Sequence, residues 1–363
     1  MRYVPIKYIK SGMVLAKTIY GQSGELLLRA GTPIQMSYVN RMEVLGYSGI
    51  YIEDKLSEGI SVDGVISEEL KMNTVKTVRN FMRTSTDSKN IQKPLLEIED
   101  LVEDIVDQIS ENKKLMVNMV DLKVASNYTY YHSVNVSVLS LVIGVALNLD
   151  KKTLCLLGIS ALMHDYGKIE IPLTILDKPG KLTEEEYEKI KIHPLKGYEY
   201  AKRKLFLHTV AYMGIYQHHE RYNGTGYPEK LKGDKISLFG RIIAIADVYD
   251  ALTSDRPYRK GIFQSEAIEY IMANGGILFD PELVRVFSSK IAPYPIGTCV
   301  KLSNGNTGVI AKNYTNFCLR PLVRVVKEKD TYIEPYYIDL LNSNLNVTVV
   351  AVENELKDYA DNN

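Results

Sequence analysis

The sequence predicts a multidomain, mainly α protein in which an all-helical bundle is flanked by a small N-terminal β-containing module and a small C-terminal β module. The 363 residues exceed what one compact domain usually holds. Apolar runs with helical spacing fill the middle of the chain, whereas both ends carry short strand-like runs around glycine-containing turns. The predicted boundaries are 1–55 for the first module, 56–112 for a helical connector, 113–292 for the bundle, 293–352 for the second module and 353–363 for a polar tail.

The composition indicates a cytoplasmic protein that binds neither nucleic-acid polymers nor membranes. Basic and acidic residues are equal in number, so the chain has no net charge with which to attract polyanions. Three scattered cysteines form no disulfide framework and fit a reducing compartment. The N-terminus lacks the apolar core of a signal peptide. The most apolar stretch, 133–149, contains Asn135, Ser137 and Ser140, and so falls short of the roughly 18 uninterrupted apolar residues of a membrane helix.

The first module is predicted to be a small scaffold. Apolar runs at 13–16 and 26–28 flank a glycine-containing turn at 21–24, which predicts two short strands joined by that turn. A short helix is expected over 33–45 and a closing strand over 50–52. Residues 1–55 contain no cluster of metal-ligating or nucleophilic side chains, so a structural or interaction role is favoured for this module.

The connector is predicted to be helical and amphipathic. A stripe of apolar residues with the spacing of one helix face runs along its second half: Leu95, Ile98, Leu101, Val102, Ile105, Val106 and Ile109. Such a stripe needs a partner surface. Two partners remain open, the bundle of the same chain or the same helix of a second chain in a homodimer.

The centre of the bundle is the segment His164-Asp165. An apolar run over 153–163 predicts a helix that ends on these two polar residues, which a hydrophobic core does not favour. One metal can accept both side chains if the site caps the helix end, and the carboxylate can bridge to a second metal. Gly167 is predicted to stop the helix, and Lys168 adds a cation beside the site. Alone, the pair is weak evidence, because most such dipeptides lie on surfaces.

Other histidines follow the same scheme on neighbouring helices. A helix that starts at a Thr183 cap, with Glu186 at the capping-box position, is predicted to end at His193, where Pro194 stops it. The next helix, over 210–217, delivers His218 and His219. Helical bundles build metal sites from inward-facing residues of this kind.

An earlier histidine and a later aspartate complete the series. His132 lies near the start of 126–149, whose alternating part is typical of a strand but whose length exceeds that of most strands. Asp247 is predicted to end an apolar helix that begins near 242. His208 fits no ligand position and is interpreted as structural.

The C-terminal module is predicted to be all β. Runs at 298–302 and 307–311 around Asn304-Gly305 predict a hairpin, and further strands are expected over 322–326 and 347–352. We expect a small module of barrel type with a stabilising or docking role.

These motifs resemble a known family. His164-Asp165 with Lys168, then His193, then His218-His219-Glu220 with Gly226-Tyr227-Pro228, then the segment from Asp247 to Arg259, are similar to the HD-GYP subgroup of HD-domain phosphohydrolases. The resemblance covers residues 113 to 292. It implies an HD-type helical domain with a two- or three-metal centre that hydrolyses cyclic di-GMP, a bacterial second messenger, and it favours a helix over 126–149.

The resemblance also implies a set of site residues. His132, His164, Asp165 and Asp247 are assigned to one metal, and Asp165 is expected to bridge to a second metal held by His193 and His218. His219 completes the second site or reaches a third. Lys168 is expected to neutralise the scissile phosphate or to protonate the leaving group. The assigned substrate-binding residues are Lys168, Asp250, Arg256, Arg259, Gly226, Tyr227 and Pro228.

The expected metals follow from the ligand types, and the expected product follows from the residue at position 128. A mixed histidine and carboxylate set suits iron or manganese, and zinc, nickel or cobalt also fit. Members with three metals carry a glutamate four residues before the equivalent of His132, where this chain has Tyr128. A two-metal centre is therefore expected, with linear pGpG as product and GMP as a further step in doubt. The alternatives are a weak or inactive cyclic-dinucleotide receptor, or an HD phosphohydrolase for another nucleotide such as cyclic GMP-AMP.

Overall fold

The structure, a computed structural model, describes residues 1–21, 25–84, 91–112, 116–117, 128–176, 178, 180–254, 260–329, 331–354 and 356. It divides into two compact units. The first comprises Met1–Gly64, Lys114–Asn127 and Ser289–Asn363, and the second comprises Val65–Lys113 and Tyr128–Ser288. Helices dominate and the sheets are small and near the two ends of the chain, so the predicted fold class is confirmed.

The first unit begins with two small sheets and a helix. Their elements are β1 (Arg2–Pro5), β2 (Val14–Leu15), β3 (Ile19–Tyr20), β4 (Leu26–Leu28), α1 (Met36–Val44) and β5 (Gly49–Glu53). β5 lies between β1 and β2, and β3 pairs with β4. The expected pairing of 13–16 with 26–28 is therefore wrong, because Ile19 is the residue opposite Leu28 and β2 turns away to the other sheet. Several short apolar runs in this segment could pair as strands, and local sequence does not determine which of them do; the pairing depends on how the runs pack in the folded unit.

The C-terminal part of the first unit is one antiparallel sheet. Its strands are β6 (Cys299–Leu302), β7 (Thr307–Lys312), β8 (Leu322–Glu328), β9 (Thr331–Asp339) and β10 (Val349–Val352), in the order β10-β6-β7-β8-β9. The predicted β6–β7 hairpin is confirmed, with Gly305 in the left-handed region at a φ of 86°. β9 was not predicted, because it contains the charged Glu334 and Pro335, which has no N–H to donate within a sheet. It is an edge strand, and among the described residues the sheet ends at β9 and β10 rather than closing into a barrel.

The two ends of the chain share a hydrophobic cluster within the first unit. Leu56 and Ile60 pack with Cys299, Val309 and Val326, all of them buried. The segments that the sequence presents as separate modules thus lie in one compact unit.

The second unit is helical. Its helices are α2 (Glu68–Thr84), α3 (Gln92–Glu111), α4 (Tyr128–Ala146), α5 (Lys151–Leu162), α6 (Leu173–Leu176), α7 (Glu184–Ile190), α8 (His193–Arg203), α9 (Thr209–Gln217), α10 (Leu238–Thr253) and α11 (Gln264–Ala273); α12 (Pro281–Lys290) begins here and runs past the boundary. All seven residues of the α3 stripe are buried, and α3 contacts α2, α4 and α5. A Cβ on Gly158 of α5 would lie 2.6 Å from Val102 Cγ1. The chain's own bundle therefore covers the stripe, and no second chain is needed to do so.

α4 is the central helix of this unit. It confirms the helix expected over most of 126–149 and packs against α5 and α10. By length and composition, Thr129–Ala146 qualifies as a membrane span, contrary to our expectation, but 78% of this window is buried inside the protein. Some of its polar side chains are hydrogen-bonded inside the unit; Ser137 Oγ, for example, donates to the carbonyl of Gly158 at 3.1 Å. These are properties of a core helix.

Candidate metal centre

The end of α5 presents His164 and Asp165 to the interior of the bundle. The helix stops at Leu162, and Asp165 precedes a 3-10 segment, Tyr166–Glu170. Both side chains are buried. His164 Nδ1 lies 2.7 Å from the carbonyl oxygen of Ala161, so the ring N–H is directed at the backbone and Nε2 is left for the site.

The prediction that Gly167 stops the helix is wrong, because α5 has already ended at Leu162. The residue is required for a close approach instead. A Cβ at this position would overlap the carbonyl oxygen of His193 and would lie 2.6 Å from the backbone nitrogen of Gly197. The absence of a side chain thus lets the 3-10 segment lie directly on the start of α8.

We expect Gly167→Ala to destabilise the protein by about 2 kcal/mol or more, because inserting a methyl group into a well-packed contact typically costs 1–3 kcal/mol. Thermal or urea unfolding measures the change. Gly275→Ala is the matched control, since its Cβ would come no closer than 3.3 Å to any heavy atom. Equal stability of the two variants would contradict the close-approach argument.

His193 and His218 are oriented by the same backbone device. In each, Nδ1 lies 2.7 Å from the carbonyl oxygen three residues earlier, that of Ile190 and that of Ile215. Nε2 therefore points away from the helix end in both rings. His193 begins α8 rather than ending the preceding helix, and Pro194 occupies the first turn, where its missing N–H has no cost. The predicted Thr183–Glu186 capping box at the start of α7 is confirmed.

Asp165 lies between two pairs of imidazoles. Its Oδ1 is 3.2 Å from His193 Nε2 and 4.0 Å from His218 Nε2. Its Oδ2 is 3.7 Å from His132 Nε2 and 3.4 Å from His164 Nε2. Each carboxylate oxygen thus faces two ring nitrogens contributed by different parts of the bundle.

Asp247 is a second carboxylate that faces histidines on both sides. Its Oδ1 is 3.1 Å from His132 Nε2, and its Oδ2 is 4.0 Å from His219 Nδ1. The prediction that the apolar helix ends at Asp247 is wrong, because α10 continues to Thr253. The extra turns carry Asp250, which lies one turn beyond Asp247.

Asp250 contacts the Nδ1 side of His132, whereas Asp165 and Asp247 lie on the Nε2 side of that ring. Asp250 is thus behind this histidine as seen from the other candidate ligands. It is fully buried, and its Oδ2 lies 2.7 Å from His132 Nδ1. Asn135 donates to Oδ1 at 2.9 Å, and Ser254 Oγ lies 3.1 Å from Oδ2. Its assignment to substrate binding is therefore corrected, because the carboxylate is fully buried and both of its oxygens are engaged by side chains inside the protein, Oδ2 by His132 and Oδ1 by Asn135. A carboxylate behind a metal-ligating histidine is a common arrangement.

The histidines of the cluster differ in the direction in which their surroundings shift their pKa values. Burial lowers the pKa of His132, but hydrogen bonds and charges from Asp247 and Asp250 outweigh this effect and raise that pKa to about 9. Burial and the neighbouring ring of His193 lower the pKa of His219 to about 3. Burial and the adjacent rings also hold the pKa of His218 well below its usual value. His218 and His219 are therefore neutral, as metal ligation requires.

Both carboxylates stay ionised despite their burial. Desolvation alone raises the pKa of Asp165, but Lys168 and the histidines outweigh it and hold that pKa well below the usual range. His132 has the same effect on the pKa of Asp247. Lys168 Nζ lies 2.5 Å from Asp165 Oδ2, so a cation already sits against the oxygen that faces His132 and His164.

The residues fit a site for metal ions. Asp165 belongs to two groups whose ligand atoms lie within 4.8 Å of one another, one with His193, His218 and His219, the other with His132 and His164. Buried His164 Nε2 and Asp165 Oδ1 have no hydrogen-bond partner among the described residues. Unpaired buried nitrogen and oxygen atoms are costly unless a ligand satisfies them. The cluster can therefore bind metal, with imidazole and carboxylate donors.

Tyr227 of the Gly226-Tyr227-Pro228 loop lies beside this cluster. Its ring stacks on His219 with centroids 4.8 Å apart, and its N–H donates to the carbonyl of His219 at 3.1 Å. A Cβ on Gly226 would overlap the backbone of Arg221 and Glu220, so the loop lies flat on the chain that follows the two histidines.

Glu220 holds this loop and was not assigned a role from the sequence. Its buried carboxylate accepts the N–H of Glu229 at 2.7 Å and that of Leu231 at 3.0 Å. Gln217 contacts the same loop by donating to Glu229 Oε2 at 3.3 Å, and it accepts from the N–H of Ser237 at 2.7 Å. The position of a glutamate directly after two candidate ligands was the available signal. The predicted structural role of His208 is confirmed, since it caps α9 through its ring.

Three residues with predicted roles remain without a structural account. Arg256 and Arg259 lie outside the described residues, as does the side chain of Tyr128. Their roles stay predictions.

Comparison with known proteins identifies the family. Residues 99–283, about half of the chain, match the HD domain family. The chain therefore belongs to the HD domain family, and the histidines and aspartates described above are its candidate metal centre.

The relatives narrow this class to the HD-GYP proteins that the motifs resemble. A cyclic di-GMP phosphodiesterase of Pseudomonas aeruginosa is 39% identical over 229 residues, which are 62% of this chain and 54% of the relative. A cyclic di-GMP phosphodiesterase response regulator of Xanthomonas campestris is 44% identical over 140 residues, 38% of this chain and 37% of the relative. The chain thus spans about half or less of the length of these relatives. The solved structure of an HDG"Y"P protein of Bdellovibrio bacteriovorus shares the fold, with a TM-score of 0.52, 18% identity and coverage of 79% of this chain and 97% of that one. The predicted resemblance to the HD-GYP family is confirmed.

Proposed function

We propose that this chain is a metal-dependent phosphodiesterase that hydrolyses cyclic di-GMP to linear pGpG. The observation that carries the proposal is the position of Asp165, whose two carboxylate oxygens each face two imidazole nitrogens. A carboxylate placed in this way can join two metal ions, and paired metals suit phosphodiester hydrolysis. The names of the relatives from Pseudomonas and Xanthomonas support the same substrate.

Two divalent ions, iron or manganese by preference, would be held by the residues of the cluster. His132, His164, Asp165 and Asp247 form one set, and His193 and His218 share Asp165 in the other, with His219 at its edge. Because Asp247 faces both His132 and His219, it can serve either set. When bound, such ions activate water and offset the charge of phosphoryl oxygens.

The chain's own residues have separate tasks in this proposal. Asp250 holds the ring of His132 in one tautomer, and backbone carbonyls do the same for His164, His193 and His218. Lys168, with 31% of its side chain exposed, can turn from Asp165 to a phosphate oxygen or donate a proton to the leaving oxygen. Glu220 keeps the Tyr227 loop against His219, where it borders the substrate.

The direct test is chromatography of the products formed by purified protein from cyclic di-GMP with manganese or ferrous iron. The proposal expects pGpG as the main product, with GMP formed slowly or not at all because Tyr128 replaces a carboxylate. No turnover with tight binding of cyclic di-GMP would favour the receptor alternative instead. The complete set of candidate ligands and the presence of Lys168 support an enzyme. The cytoplasm, where this nucleotide is made and used, is the proposed location.

A mixed cyclic dinucleotide is the second candidate substrate. A relative from Vibrio cholerae named 3'3'-cGAMP-specific phosphodiesterase 1 is 40% identical over 163 residues, 45% of this chain. Competition between equal amounts of cyclic di-GMP and 3'3'-cyclic GMP-AMP in one reaction decides between them. Preferential loss of the mixed nucleotide would transfer the proposal to that substrate.

Arg256 and Arg259 are proposed to bind the phosphates, since guanidinium groups match phosphate oxygens with paired hydrogen bonds. Substituting either by alanine is expected to leave metal content unchanged and to weaken cyclic di-GMP binding roughly ten- to hundredfold, the usual effect of losing a charge-assisted hydrogen bond. Equilibrium binding and metal analysis measure both quantities. Unchanged binding in both variants would assign these cations to a solvated surface.

The proposed role of Asp250 makes metal affinity depend on pH in a defined direction. A metal displaces the proton of His132, whose pKa is raised to about 9, so affinity rises as pH increases from 6 toward 9. Asp250→Asn removes one of the charges that raise this pKa, so the rise should end at lower pH. Loss of a carboxylate behind a metal ligand also typically weakens affinity by about 10- to 100-fold.

Manganese titrations at several pH values measure both effects of Asp250→Asn. Asp234→Asn is the control, because Asp234 is an exposed aspartate that pairs with Arg241. If Asp250→Asn had the affinity and pH dependence of the wild type, the proposed orienting role would be wrong.

A further inference from the structure

Lys191 lies at the border of the candidate metal centre and has no role in the family motifs described above. It follows α7 and stands two residues before His193. Its ammonium group lies 4.8 Å from the ring centroid of Tyr187 and 5.9 Å from that of Tyr227. Since Tyr227 stacks on His219, one aromatic ring separates the cation from the cluster.

The chemistry of this group suits part of a nucleotide. Tyr187 is 43% exposed and Lys191 is 29% exposed, so a cation and an aromatic ring both face solvent beside the centre. Aromatic rings stack on nucleobases regardless of sequence, and lysine contacts phosphate as a point charge. Glu188 pairs with Lys191, but exposed pairs of this kind are weak and are readily exchanged for another anion.

A cyclic dinucleotide has a second phosphate and a second base in addition to the bond that is cleaved. We infer that Lys191, with Tyr187 and Tyr227, forms a subsite for the uncleaved phosphate and the nucleoside attached to it. This inference rests on the proposed phosphodiesterase function and adds a residue that binds substrate away from the reacting bond.

The test compares two substrates. Cyclic di-GMP has two phosphodiesters, whereas bis(p-nitrophenyl) phosphate has one and lacks any nucleoside. Lys191→Met is expected to raise KM for cyclic di-GMP about ten- to hundredfold, as for other lost charge-assisted contacts, with kcat changed less than threefold. Its kinetics with bis(p-nitrophenyl) phosphate should equal those of the wild type, because this substrate does not reach the subsite.

Lys202→Met is the matched control. Lys202 also lies beside two tyrosine rings, 5.3 Å from that of Tyr198 and 5.8 Å from that of Tyr212, but it is at the other end of α8 from His193. Its removal should leave KM unchanged for both substrates. An equal rise in KM in the two variants would overturn the inference.

Glu188→Gln separates substrate binding from a structural role. If Lys191 acts on substrate, removing its partner frees the cation, and KM for cyclic di-GMP should stay equal or fall. If the Glu188 pair only stabilises the end of α7, this variant should reproduce the defect of Lys191→Met, and the inference is overturned. A normal KM in Lys191→Met overturns the subsite alone, whereas a wild type that cleaves only bis(p-nitrophenyl) phosphate overturns the proposed function as well.

Discussion

Asp165→Ala is expected to lose most of both metal ions and all measurable hydrolysis of cyclic di-GMP. The reason is the position of the carboxylate, whose Oδ1 faces His193 and His218 and whose Oδ2 faces the other histidine pair. Removing it deletes a donor from both sets and leaves four imidazoles without the anion between them. Losing one histidine should affect one set more than the other.

Metal analysis of purified protein by mass spectrometry measures this result. The wild type should contain close to two ions per chain, and Asp165→Asn, which keeps the shape of the side chain, should resemble Asp165→Ala. Asp234→Ala, at an exposed position, should retain full metal and activity. Full metal in the Asp165 variants would contradict the bridging assignment, and three fully occupied sites would contradict the argument from Tyr128.

Lys168→Met is expected to lower kcat for cyclic di-GMP by about 10²- to 10³-fold, the usual effect of removing one positioned group that stabilises charge in the transition state. KM should change much less, because the lysine acts on charge that develops during the reaction. Its ammonium group contacts Asp165 and remains partly exposed, so it lies between the metal ligands and the entering substrate. Metal content should be unchanged.

Two comparisons define the role of Lys168. Lys178→Met is the control, since Lys178 has the same 31% exposure and pairs with Glu186 outside the cluster. The second comparison uses bis(p-nitrophenyl) phosphate, whose leaving group needs no proton. A small effect on this substrate would identify Lys168 as the proton donor, whereas an equal effect on both would identify charge neutralisation. A change in KM alone would contradict both the proton-donor role and the charge-neutralising role, and would indicate that Lys168 only binds a phosphate of the substrate.

Local patterns were sufficient for much of the helical unit. The capping box at Thr183, the apolar stripe of α3 and the hairpin at Gly305 all occur where short-range spacing predicted them, because their physical causes act within one or two turns of chain. The boundaries of elements were less certain. α10 extends beyond Asp247, because a carboxylate does not by itself end a helix, and α8 starts at His193, because a proline is tolerated in the first turn.

The sequence by itself determined which residue types could form a metal centre, and the order of the motifs identified the HD-GYP family. Only the tertiary structure decided what each residue faces. Asp250 shares a helix with Asp247, yet it lies behind His132, and Gly167 serves contact with α8 rather than the end of α5. The partner of the α3 stripe was likewise settled by packing within the chain. The physical reason is that these atoms come from segments that are well separated along the chain, by 118 residues for His132 and Asp250, so their distances depend on how the helices pack and not on any local preference.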